Sequence, residues 1–509
     1  MQETFIKSDI KLTIGILVSD RKKYIRDAME ALKPLLLAVP SELIVVDTKG
    51  KDSDGSIDIV REYTDKVYPF TWCDDFAVAR NVCLEHAKGE WFMFQDDDEV
   101  FDDVQELIDF FTSGECNRYG SGYYYVKNYS ADGGHKMSVV GRMVRRTAET
   151  RFVGTVHEHF NRVSLPYKVF SCFVHHYGYV FATEEAKKKH QKRNVVLLQK
   201  DLKQHGMTPR ICAQMTQELL VCGDTQDAGY EFCLKGLLEL EKKNQLQDAC
   251  SQWAMVASVR YFKAKGNYQG LLCRAAEIRE KYKLSEMAQL ALAGVVIEAS
   301  APEGNVRAIL EYAPIYKEAW VWLNAHEREA ITQNQMDLSN YREEEFAIQV
   351  FQAAATCANA VGRFEEAMEY WELLPWGNPA FDGAPYEAGR KETQQGLRAM
   401  QMEQQEKKEL QNLMEVLKEL SPVIRSLIGT GQREQIVELL GSLQEVVIAL
   451  GNQIEKIYGE ENASAVISVL EQCCEDIWQS ANARTQEEMA VSFAAVEAKL
   501  QMVMAAVEN

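Results

Sequence analysis

None of the twelve cysteines forms a Cys-x-x-Cys pair or falls into a repeated spacing. That argues against a disulfide framework and leaves a thiol-reducing compartment, the cytoplasm, as the expected location. The opening stretch from Met1 to Leu12 has no uninterrupted apolar core of the kind a signal peptide needs, and no later run approaches the roughly 18 apolar residues of a membrane span. Neither secretion nor membrane insertion is expected. Basic residues are outnumbered, 56 to 76, for a formal charge of -20, which disfavours nonspecific nucleic-acid binding because phosphate-rich partners call for a basic surface. His157 and His159 lack the helical spacing of an HExxH zinc site, so protease chemistry finds no support.

What is present belongs to ordered globular protein: 46% hydrophobic and 26% charged residues over 509 positions, enough for roughly two to four folding units. Residues 1 to about 182 read as alternating strands and helices. The runs Ile14-Gly15-Ile16-Leu17-Val18, Leu43-Ile44-Val45-Val46 and Trp91-Phe92-Met93-Phe94 are short and bounded by polar residues, as strands buried on both faces are. Tyr24 to Leu32 has helical apolar spacing, and Ser56 is placed to cap a second crossover helix running through Val60. The expected fold of this front is α/β, an open and mainly parallel sheet whose ligands sit beyond the carboxyl ends of its strands. Ser19, Asp47 and Asp96 each follow such a strand.

Strand signals stop near residue 183. Residues 183–390 resemble tetratricopeptide-like helical repeats in pieces such as Gly362-Arg363-Phe364-Glu365-Glu366-Ala367. Residues 391–509 carry helical stripes, Leu410, Leu413, Leu417 and Leu420, then Ile436, Leu440, Leu443, Val447, Leu450 and Ile454. These predict a bundle, or a dimerising element that would make the protein a homodimer.

Asp96-Asp97-Asp98-Glu99 concentrates four acids at a strand end, and their repulsion calls for compensation. A hard divalent cation, Mg²⁺ or Mn²⁺, would supply it and bridge to a diphosphate. A solvated acidic turn is the plainer alternative. Four other stretches set the cluster in context: Glu42-Leu43-Ile44-Val45-Val46-Asp47-Thr48 with Ser53-Asp54-Gly55-Ser56; Asp75-Phe76-Ala77-Val78-Ala79-Arg80-Asn81; Phe152-Val153-Gly154-Thr155-Val156-His157-Glu158; and His175-His176-Tyr177-Gly178-Tyr179. With them the front of the chain resembles family-2 glycosyltransferases of the GT-A fold, in the subgroup that joins this domain to tetratricopeptide-like helices.

That resemblance implies a metal-dependent, inverting transfer of a sugar from a nucleotide-sugar donor, expected to be a UDP-sugar. It implies that Ser19, Asp47, Arg80, Asp96 and Asp97 lie on the nucleotide-sugar side, with Asp98 holding the metal; His176, whose neutral imidazole accepts Mn²⁺, is a candidate further ligand, against the alternative of a packed core histidine. Glu158 is the candidate base, against the alternatives of a structural ion pair or an acceptor-orienting residue. Arg193, in the basic run Lys187 to Asn194, would fold over the diphosphate, or the run is only a solvated helix face. The expected acceptor is a protein or peptide, flagellin-like or modified, offering a Ser/Thr hydroxyl or a Cys thiol. A glycan or lipid acceptor is the enzymatic alternative, and a helical scaffold carrying an inactive transferase domain is the non-enzymatic one. Cys172, Cys473 and Cys474 have no matched ligand set and read as buried structural thiols.

Overall fold

The computed structural model describes residues 4–50, 54–130, 133–178, 180, 183–333 and 338–508; Ser53 and Tyr179, named above, lie outside them. The chain forms two compact units, Met1–Ala353 and Ala354–Asn509.

The first unit opens with β1 (Leu12–Val18), α1 (Lys22–Ala38), β2 (Ser41–Asp47), α2 (Ser56–Val60), β3 (Val67–Pro69), α3 (Phe76–His86) and β4 (Trp91–Asp96). After them come β5 (Glu99–Phe101), α4 (Gln105–Thr112), β6 (Ser121–Tyr129), β7 (His135–Arg145), the short pair β8 (Phe152–Val153) and β9 (His159–Phe160), and β10 (Tyr167–His176). Eight of the strands make one sheet, ordered β3-β2-β1-β4-β7-β6-β10-β5. The first four run parallel. β7 joins β4 antiparallel, and β6 and β10 run parallel to each other. The expected mainly parallel sheet is therefore present, extended by a mixed half.

β1 is buried along its whole length, which is why it reads as a continuous apolar run and not an alternating one. One face packs Ile14, Ile16 and Val18 against Ile25, Met29 and Leu32 of α1. The other sets Leu17 with Phe92 and Phe94 of β4 against Cys83 of α3. Ser56 does not cap α2 as its position suggested. It is buried, and Asp54 takes the capping role instead, its Oδ1 accepting from the Ser56 amide at 3.0 Å and its Oδ2 from the Lys22 amide at 3.0 Å. One carboxylate thus satisfies amides at the starts of two helices.

From Glu184 onward the described elements are helical. α5 (Glu184–His205), α6 (Pro209–Val221), α7 (Gln226–Lys242), α8 (Ala249–Ala264), α9 (Tyr268–Lys281), α10 (Glu286–Ser300) and α11 (Val306–Ala325) follow one another through short connections. α6 touches α7 and α8, α8 touches α9 and α10, and α10 touches α11. This is the contact pattern of stacked helical hairpins, in which each pair buries its apolar face on the next. α12 (Glu327–Gln333) packs on α10 and α11, and α13 (Glu344–Ala360) runs across the limit between the units. The division at 182 and 390 is our proposal for the domain limits.

In the second unit, α14 (Phe364–Glu372) packs on the long α15 (Ala384–Thr430), which is followed by α16 (Arg433–Tyr458), α17 (Glu460–Asn482) and α18 (Gln486–Glu508). α15 to α18 close a bundle around Leu417, Leu440, Leu443, Val447, Cys473 and Phe493. α18 is long and apolar enough by length and composition to cross a membrane, because its scattered charges break its apolar runs without lowering its mean hydropathy enough. Glu497 and Lys499 interrupt it, so no uninterrupted apolar run of that length occurs in it. Its Met489, Phe493, Val496, Leu500 and Val503 are buried in the bundle.

Gly89, just before β4, lies so close to β1 that a Cβ would sit 2.5 Å from the Thr13 amide nitrogen and 2.7 Å from the Leu12 carbonyl carbon. Backbone cannot yield there as a flexible side chain would. Gly89→Ala is expected to destabilise the sheet by about 1–3 kcal/mol, seen as a lower melting temperature. An unchanged melt would show that the β1–β4 edge is looser than its packing implies.

Candidate active site

Parallel register gathers the strand ends. Val18 lies opposite Asp47 and Leu17 opposite Asp96, so Ser19, Asp47 and Asp96 stand side by side on the carboxyl edge of the sheet. Asp47 folds over its own turn, its Oδ1 accepting from the Lys49 amide at 3.0 Å and the Gly50 amide at 2.8 Å. Ser19 turns toward the acidic cluster and donates its amide to Asp97 Oδ2 at 2.8 Å.

Around β4 the carboxylates are met by guanidiniums. Arg80, on α3 and 2% exposed, donates Nε to Glu158 Oε1 at 3.0 Å and Nη1 to the Gln95 carbonyl at 3.1 Å, and pairs through Nη2 with Asp96. Arg142, on β7, pairs with the other oxygen of Asp96 at 3.1 Å and with Glu99 Oε1 at 2.5 Å. Both guanidiniums lie over the Phe94 ring. Arg21, following β1, pairs with Asp98 at 3.0 Å and lies 3.8 Å from Asp97. Five carboxylates, on Asp96, Asp97, Asp98, Glu99 and Glu158, thus face three guanidiniums, a formal deficit of two positive charges.

The imbalance appears in the proton affinities. Loss of hydration opposes ionisation of Asp96, but Arg142 and Arg80 outweigh it and hold the carboxyl well below the usual range. At Asp97 burial, and then the charge of Asp98, outweigh the Ser19 amide and the more distant Arg21 and push the carboxyl up to about 7. Burial also lifts Glu99 to about 7 against the pull of Arg142.

His176 Nε2 lies 3.5 Å from Asp98 Oδ1, and its Nδ1 is fixed by Asn128 Oδ1 at 2.7 Å. His175 points to the opposite side of β10, toward Tyr129 and Asp102. Tyr177 stacks between Tyr24 and Tyr129, with ring centroids 4.9 and 5.2 Å away, and holds the chain beside His176. Among the described residues no three His, Cys, Asp or Glu side chains converge as a complete metal cage. Asp98 and His176 nevertheless suit a hard or borderline divalent ion that keeps its remaining positions for phosphate oxygens and water. Both oxygens of Asp96 are engaged by arginines, which sets it behind that pair.

Glu158 lies in the segment between β8 and β9, next to His157, whose φ of +53° is left-handed for a residue with a Cβ. Such a conformation costs roughly 1–2 kcal/mol and needs support from its surroundings. Arg193 is on α5. Its guanidinium lies over the Phe76 ring at 5.4 Å, and its Nη2 donates to Asn194 Oδ1 at 2.8 Å. Cys172 and Cys473 are buried and Cys474 is half-buried, and none of the three is in a disulfide.

Sequence reasoning missed Arg21, Arg142 and Asn128. Arg142 did carry a signal: it is a lone charge inside the apolar strand run Val139 to Val144, and such a charge requires a buried counter-charge. Asn128 carried none.

Asp97 yields a pH prediction. A carboxyl whose pKa is raised by folding contributes stability below its unfolded value, and that contribution is lost as pH rises through about 7. Asp97→Asn still accepts the Ser19 amide and stays neutral. In chelator it should therefore match the parent near pH 4 and exceed it by about 1–3 kcal/mol at pH 8. Parallel melting curves of the two proteins across this range would overturn the assignment.

Residues 13–173 match the family described as Glycosyl transferase family 2. Two curated relatives, the SPbeta prophage-derived glycosyltransferase SunS of Bacillus subtilis (strain 168) and the glycosyltransferase SunS of Bacillus phage SPbeta, are each 28% identical over 253 residues. The alignments cover 47% of this chain and 56% of each relative, so the chain spans little more than half the length of the relatives it matches. A crystal structure of S. aureus TarS 1-349 is similar with a TM-score of 0.28 and 16% identity, over 54% of this chain and 93% of that one. The family match covers the strands that carry the acidic cluster, and residues 13–173 of this chain form a family-2 glycosyltransferase domain, followed by a long all-helical region.

Proposed function

We propose that this chain transfers a sugar from a nucleotide-sugar donor, with inversion, and that a divalent cation assists it. The observation that carries this reading is the Asp98–His176 pair, set on the carboxyl edge of the sheet amid five carboxylates and three guanidiniums. A divalent ion has the charge this cluster lacks. Asp98 and His176 would hold it, and when bound it would supply electrostatic stabilisation for the charge growing on the departing diphosphate.

In this reading Asp47 and Ser19 face the nucleotide, with uridine diphosphate our preferred carrier. Arg80 and Arg142 keep Asp96 ionised and fixed, and Asp97 carries the amide of Ser19 at the end of β1. Glu158, its Oε1 anchored by Arg80, is the carboxylate we assign to take the acceptor's proton. Arg193 would have to leave Phe76 and Asn194 to reach a diphosphate. The stacked hairpins from α6 to α11 suit an extended polypeptide acceptor offering a hydroxyl or a thiol.

With Mn²⁺ and a panel of nucleotide sugars, the intact protein is expected to release nucleoside diphosphate, and Asp98→Ala to lose at least about 100-fold of that rate. Equal rates in the two proteins would remove Asp98 from the mechanism. Gly178 tests the other ligand, because a Cβ there would lie 2.5 Å from His176 Nε2 and 3.2 Å from Asp98 Oδ2. Gly178→Ala should weaken Mn²⁺ binding by about 10- to 100-fold, read by electron paramagnetic resonance titration. Unaltered binding would exclude His176 as a ligand.

A further inference from the structure

The segment that carries Glu158 is held mainly by residues of the helical region. The Thr155 amide donates to Asp201 Oδ2 of α5 at 3.1 Å, and its hydroxyl to the Leu197 carbonyl at 2.9 Å. Val156 packs among Leu197, Leu198 and Met215. Arg210 of α6 donates to the His157 carbonyl at 2.9 Å. Glu218, also on α6 and with 13% of its side chain exposed, receives His157 Nε2 at 3.0 Å and Asn194 Nδ2 at 2.8 Å on the same oxygen. These contacts surround the one residue of the segment with a Cβ and a left-handed backbone. Toward the sheet, the Thr155 carbonyl accepts the Phe76 amide at the start of α3, the helix that also carries Arg80.

We infer that Glu218, acting through His157, is a positioning residue for Glu158: α6 holds His157 left-handed, and that turn aims the next side chain at Arg80 and the acidic cluster. A continuous series of contacts runs from Glu218 to His157, along the backbone to Glu158, and on through Arg80 to Asp96. The first helices after the sheet are thereby part of the transferase site. The inference rests on the proposed role of Glu158, and its test separates the two.

Glu218→Ala and His157→Asn each break the contact. Asparagine tolerates the left-handed backbone but is too short to reach Glu218. Both variants are expected to melt like the parent, keep the donor KM within about 2-fold and lose about 10- to 100-fold in kcat. The double variant should be no worse than either single one. Glu218→Gln, whose amide oxygen still accepts both bonds, should recover most of the rate. Independently of activity, amide hydrogen exchange over residues 154–158 should accelerate in the two breaking variants and not in Glu218→Gln. If Glu218→Ala does not fold, His157→Asn alone decides. Folded variants with unchanged exchange in this segment overturn the positioning role. Accelerated exchange with unchanged kcat would leave the segment held by α6 but overturn its link to Glu158. A parent protein silent with every donor would count against the proposed chemistry, while the exchange measurement would still decide the positioning.

Discussion

Carboxylates crowded at the end of one buried strand set the terms for everything around them. The tight turn from β4 into β5 brings Asp96, Asp97, Asp98 and Glu99 in succession to a place with little water, where each added negative charge raises the cost of the next. The surrounding sheet answers with cations from three different elements: Arg21 after β1, Arg80 on α3 and Arg142 on β7. The β4–β7 pairing that breaks the parallel order of the sheet also brings Arg142 into place. What the arginines leave unbalanced falls on Asp97 and Glu99, which keep their protons to near neutral pH. In the function we propose, a doubly charged ion would take over from those protons.

Much of this was legible in the sequence because the informative features were local. Three short apolar runs followed by Ser19, Asp47 and Asp96 were enough to predict parallel strands with their ends aligned, since buried parallel strands have no other periodicity to show. The stripes through Leu410 and Ile436 likewise announced helices with one buried side. The missed features were those that depend on pairs far apart in the chain. The ion pair between Arg142 and Glu99 joins β7 to β5, two strands that are not neighbours in the sheet, and the capping of two helices by Asp54 depends on how α1 and α2 begin side by side. Ser56 looked like a cap because serine usually is one, and it was displaced by an aspartate two residues earlier.

The residues named from the resemblance take different partners. Asp98 and His176 face each other, Arg80 is buried between Asp96 and Glu158, and the Arg193 guanidinium lies over the Phe76 ring. A motif specifies which residues occur near a site, whereas the direction each side chain takes is settled by whichever opposite charge is nearest.

Each stacked hairpin contacts the next, and α5 and α6 also grip the segment around His157. The helical region therefore meets the sheet at two places: its near end holds the turn at His157, and further along Tyr167 of β10 donates its hydroxyl to the Arg328 carbonyl of α12 at 2.9 Å. A change in the number of hairpins between these two attachments would shift one against the other, so the length of the stack is tied to the shape of the sheet.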